Sequence, residues 1–141
     1  MERKKSAGLI LTALTIIATA VGLGAYMVNA GTNYFKNLGT SPIIVGCLIA
    51  AIACEVIFLI VGLKKQPVWA DLLPVVSCVC IMVGMLNFVS ARANGIAAII
   101  TFENNASNMS DLSSAIAGIA ACVIAVIIAI IASFFDVTVE K

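Results

Sequence analysis

The chain has 141 residues, 62% of them hydrophobic and 11% charged, with a formal net charge of +1. Its mean hydropathy of +1.16 lies far above what a soluble domain of this size keeps in solution. That composition leaves no room for a soluble catalytic domain, and so small a charge, with the basic residues at the ends of apolar runs, argues against a nucleic-acid partner. The sequence has no histidine, which removes the usual haem ligand and the commonest proton shuttle, and no cofactor or metal is implied.

Four apolar runs of about 20 residues with short connections use nearly the whole length. The expected fold is therefore all-α: a single domain over residues 1–141, a polytopic membrane protein folded as an up-and-down bundle of four transmembrane helices with short loops. The first run, residues 7–28, follows Glu2, Arg3, Lys4 and Lys5. A basic start and Val28-Asn29-Ala30 match a secretory signal cleaved after Ala30, but the run is longer than the 7 to 15 apolar residues of a signal, so an uncleaved first span is the preferred reading. Asn29 to Ser41 makes a short polar loop. Pro42 stands in the first turn of the second span, residues 43–63, where its missing N–H would have had no partner.

Lys64-Lys65-Gln66-Pro67 form a tight turn. Trp69 and Asp71 then sit where an amphipathic ring and a charge reach headgroups and water. The third span is expected over residues 72–93, with Pro74 in its first turn and Arg92 snorkelling outward near its end. Asn94-Gly95 marks a stop, and Ile96 to Phe102 either extends the third helix or lies along the interface. Glu103 to Ser110 is the most polar loop. Ser110 or Asp111 caps the fourth span, residues 113–135, and Asp136 to Lys141 is a short polar tail.

Arg3, Lys4, Lys5, Lys64, Lys65 and Lys141 fall on one side and Lys36 and Arg92 on the other. This bias places both termini in the cytoplasm of a plasma-membrane protein. Asn105 and Asn108 begin N-x-Ser matches that would then face outward. The cysteines, Cys47, Cys54, Cys78, Cys80 and Cys122, lie inside apolar runs and read as small packing residues; Cys78 and Cys80 match neither a redox nor a zinc spacing.

The candidate site is built on Glu55, a carboxylate in the middle of the second span. At that depth it costs about 2.5 kcal/mol or more unless it is protonated, paired or turned toward a polar interior. Gly8, Thr12, Thr15, Thr19, Gly22 and Tyr26 alternate at four and three residues, which draws one stripe along the first helix. Ser77, Cys80, Gly84, Asn87, Ala91 and Asn94 do the same on the third, and Cys47, Ala51, Glu55, Phe58 and Gly62 share a stripe on the second. At 1.5 Å per residue Glu55 is about 12 Å from its end of the bundle, level with Thr15 and Cys80. Thr12, Thr15 and Thr19 are therefore its expected neighbours, with Asn87 on the facing seam. Arg92, about 18 Å further along, is too far to pair with it.

The fourth span repeats Ser113, Ala117, Ala121, Ala125, Ala129 and Ser133 at every fourth residue. Such a small-residue ladder lets another helix approach closely, within the bundle or from another membrane protein or a second copy of this chain. One membrane-depth acid and no histidine do not make a hydrolase. The functional expectation is a non-catalytic accessory or assembly subunit of a larger membrane transport complex. The alternative is a small self-assembling proton- or cation-coupled transporter or channel using Glu55.

Overall fold

The computed structural model describes residues 3–65 and 67–140. Lys141, counted in the charge bias, and Glu2 and Gln66 lie outside the described residues. The described chain is all-helical apart from two three-residue strands, and its four helices are long and apolar enough to cross a membrane. They are α1 (Ala7–Ala30), α2 (Pro42–Lys64), α3 (Leu72–Thr101) and α4 (Ala106–Ala132). The strands are β1 (Arg3–Lys5) and β2 (Thr138–Glu140).

Local chemistry sets the helix ends. The Ser6 side chain accepts from the Gly8 N–H at the start of α1, a standard cap for an otherwise unpartnered donor. Pro42 opens α2 as expected. A 3-10 turn over Val68–Asp71 leads straight into α3. The cap of α4 is Asn105, whose side chain accepts from the Asn108 N–H at 2.9 Å; it is neither Ser110 nor Asp111, so α4 begins well before residue 113 and ends at Ala132 rather than 135. Asn94-Gly95 does not stop α3. The helix continues to Thr101, so residues 96–101 extend it, and Gly95 is there for space: a Cβ on it would lie 2.7 Å from the Phe35 ring.

The helices form a closed ring in chain order. α1 packs on α2, α2 on α3, α3 on α4, and α4 returns to α1 in the most intimate pairing of all. Small and polar residues lie inside together with a few large ones, among them Ile44, Leu48 and Ile81, while most isoleucines, valines and leucines face outward. Ile10, Ile17, Ile49, Ile60, Leu86, Ile116 and Ile127 are all exposed, whereas Gly8, Thr12, Ala51, Ser77, Ala125 and Ala129 are buried. A water-soluble helix of a globular protein has the reverse polarity, and small inward residues are the packing chemistry of helices that meet in lipid.

The polar tail is structured. β1 and β2 pair antiparallel, Arg3 opposite Glu140 and Lys5 opposite Thr138. The ribbon is extended by a bond from the Ser6 N–H to the Val137 carbonyl at 3.0 Å and by the Ser6 hydroxyl donating to the Asp136 carbonyl. Val137 is fully buried among Phe58 and Ala70, and Thr138 donates to the Gly62 carbonyl at 2.9 Å. Gly8 and Gly62 make this possible: a Cβ on Gly8 would run into the Asp136 carbonyl oxygen, and one on Gly62 would lie 2.8 Å from Val137 Cβ. The two chain ends thus close the terminal end of the bundle.

Candidate functional site

Among the described residues a buried acid and a buried guanidinium, Glu55 and Arg92, lie in different layers of the bundle. Glu55 on α2 is 1% exposed, and neither carboxyl oxygen has a hydrogen-bond partner. Its polar neighbour is Ser77 on α3, but the Ser77 hydroxyl donates to the Ala51 carbonyl at 3.1 Å. Ser77 therefore ties α3 to α2 one turn from Glu55.

Thr12, Thr15 and Thr19 are all buried, and so are Gly8, Gly22 and Tyr26 of the same stripe. None of these hydroxyls is hydrogen-bonded to the acid. Thr15 donates to the Leu11 carbonyl at 2.9 Å and Thr19 to the Thr15 carbonyl at 2.7 Å, the bond to the preceding turn that hydroxyls in helices commonly make. The Thr12 hydroxyl is buried without a partner.

Asn87 lies elsewhere. The buried stripe of α3 is Pro74, Ser77, Ile81, Gly84, Phe88, Arg92 and Ile99. It shares Ser77 and Gly84 with the expected seam and then follows the bulky residues. Asn87 is half-exposed, its amide donating to the Val83 carbonyl of its own helix at 2.8 Å. Of the α4 ladder, Ala125 and Ala129 are buried, Ala121 is half-buried, and Ser113 and Ala117 are exposed. A step of four residues advances about 40° beyond a full turn, so such a ladder winds around its helix. The buried stripe runs Leu112, Ala115, Gly118, Cys122, Ala125, Ala129 and Ala132.

The second site is organised by Arg92, which is 1% exposed and does not snorkel. Its Nε donates to Asn29 Oδ1 at 2.7 Å. Its guanidinium carbon lies 5.1 Å from the Phe35 ring centre, 5.5 Å from Tyr26 and 5.9 Å from Phe88, within the range of cation–π attraction. Nη2 has no hydrogen-bond partner. Tyr26 meets Phe88 edge-on at 4.8 Å and receives the Ser41 N–H on its hydroxyl at 2.7 Å, which pins the start of α2 over the cage.

Asn29 carries the network onward. Its Nδ2 donates to Ser114 Oγ at 2.9 Å and to the Asp111 carbonyl at 3.3 Å, while the Asp111 carboxylate accepts from the Tyr34 N–H at 3.0 Å. The Tyr34 hydroxyl donates to Glu103. That carboxylate, first as acceptor, then with burial and its charge, holds the phenol above its ordinary range. Sequence reading reached Tyr26 through the α1 stripe but missed Arg92, Asn29, Phe35 and Phe88. The available signal was Phe88 and Arg92 four residues apart, continuing the line from Ile81 and Gly84.

Between the two sites the interior is filled by Ile44, Leu48, Ile81, Cys122 and Ala125. Along α3, Ser77 and Arg92 are about 22 Å apart, so the acid and the guanidinium form no pair. No cluster of three or more metal-ligating side chains occurs among the described residues. No family model, curated protein or solved structure matches this chain.

Proposed function

We propose that this is a multi-pass membrane protein with both termini cytoplasmic, serving without catalysis as an accessory or assembly subunit of a larger membrane transport complex. The observation that carries the reading is the filled interior between Glu55 and Arg92. Transport by a single copy needs a polar route from one side to the other, and here the layer of Ile44, Leu48, Ile81, Cys122 and Ala125 stands between the two buried polar sites. Glu55 in this reading is a neutral acid inside the bundle, and Arg92 is a cation held by rings and an amide. Much of the outward helix surface is apolar and available to lipid and to other membrane proteins.

Purification from the native membrane in mild detergent tests this directly. An accessory subunit co-elutes with a larger membrane protein; a chain that elutes alone at every detergent and salt condition contradicts the role.

The second reading, a small self-assembling proton- or cation-coupled transporter or channel, draws on the unpartnered carboxyl oxygens of Glu55 and the unpartnered Thr12 hydroxyl. Buried polar groups left open at membrane depth often mark ion pathways. It requires a second conformation in which the apolar layer parts.

A further inference from the structure

The outward surfaces of the four helices are not alike. Those of α1 and α2 are apolar within the span, and that of α4 is apolar beyond its first turns, whereas α3 carries amides and hydroxyls on one flank. Leu73, Val76, Cys80, Val83, Asn87, Ser90, Asn94, Ala97 and Thr101 recur at alternating steps of three and four, and every one is exposed or half-exposed. That 3.5-residue repeat is the seam along which a second helix packs in a left-handed crossing.

Asn87 is the critical member. It lies about 22 Å from the start of α3, inside the roughly 30 Å of hydrocarbon that a spanning helix crosses. One amide proton is used on the Val83 carbonyl; the half-exposed side chain still has a second proton and Oδ1 to satisfy, and acyl chains offer neither a partner. A partner helix supplying both a donor and an acceptor at this depth would satisfy them.

We propose that α3 is the self-association surface of this protein, two copies meeting α3 against α3 about a two-fold axis along the membrane normal. The side-chain amide is its own complement, giving and receiving one bond with an identical group. Copies inserted with the same orientation run their α3 helices parallel, so Asn87 faces Asn87 and, one heptad on, Asn94 faces Asn94. The seam carries no charged residue, since the only one on α3 is the buried Arg92, and like copies do not repel across it. The inference rests on the membrane reading but not on the accessory role, because its readout involves neither flux nor a partner protein.

The same axis brings Cys80, a heptad before Asn87 and half-buried, opposite its counterpart. Oxidation by copper phenanthroline of a variant keeping only Cys80, reconstituted in phosphatidylcholine vesicles, is expected to give a disulfide-linked dimer. A variant keeping only Cys122, buried on α4, stays monomeric. In a dilution series of the wild-type chain in lipid, Asn87→Leu is expected to weaken dimerisation about tenfold, with Asn87→Gln retaining it and all variants unfolding at wild-type temperature. A chain monomeric at every protein-to-lipid ratio overturns the proposal. So does a dimer indifferent to Asn87→Leu, or one cross-linked through Ser113→Cys on α4 instead of Cys80.

Discussion

Arg92 and Glu55 show how differently one bundle treats two charges. The guanidinium donates to Asn29 and lies over three rings, which suits a planar, weakly hydrated cation better than an ammonium. Arg92→Ala removes the cation–π contacts and leaves Asn29 Oδ1 buried without a donor. It should lower stability by about 2–4 kcal/mol, and Arg92→Lys should recover only part of that; unchanged thermal unfolding of Arg92→Ala in detergent would contradict the cage. The Tyr34–Glu103 contact makes a pH prediction. Because the folded phenol holds its proton more tightly than usual, the contact contributes fully below the ordinary tyrosine value near 10. The contribution is lost as pH rises through the raised one. Glu103→Gln should bring the Tyr34 midpoint, followed by ultraviolet absorbance, down toward the ordinary range; a midpoint left in place would remove Glu103 as the cause.

Single helices were legible in the sequence to different degrees, for physical reasons. The α1 stripe was readable because a 3.5-residue alternation of small and polar residues stays on one face, and all six members are buried. On α3 the polar residues mark the outside as well as the inside, so following asparagine led one position away from the line of Ile81, Phe88 and Arg92. The every-fourth ladder on α4 winds away from its own core. The junction at residues 94–105 was misplaced because a glycine that admits a ring looks the same in sequence as one that ends a helix. Glycine substitutions separate these roles. Gly46 has nothing within 4 Å of its would-be Cβ, whereas Gly8 abuts the Asp136 carbonyl. Gly46→Ala should be neutral or stabilising by up to about 1 kcal/mol, and Gly8→Ala should destabilise by unseating the tail. Equal melting temperatures for the two variants would count against the close contact.

At the scale of the molecule, the four long apolar helices and their order could be read from hydropathy and loop length. The terminal ribbon could not, since strands of three residues carry no usable period and their partners are separated by almost the whole chain. The ribbon joins the first and last helices, which already form the tightest pair, and seats Val137 beneath α2. Val137→Asp places a charge among Phe58 and Ala70 and should cost about 2–4 kcal/mol. It should also speed amide exchange at residues 3–5; slow exchange there in the variant would show the ribbon to be independent of the plug. The ribbon at one end and the apolar residues packed between Glu55 and Arg92 are what the proposed non-transporting role draws on.

Flux across liposomes containing only the purified chain tests that role most directly. With a pH gradient imposed and internal pH followed by a trapped dye, wild-type and Glu55→Gln vesicles are predicted to leak protons at the same slow rate as protein-free ones, both proteins remaining folded. Proton movement well above the lipid background in the wild type, abolished by Glu55→Gln, would contradict the non-transporting role and make Glu55 the working group of a transporter.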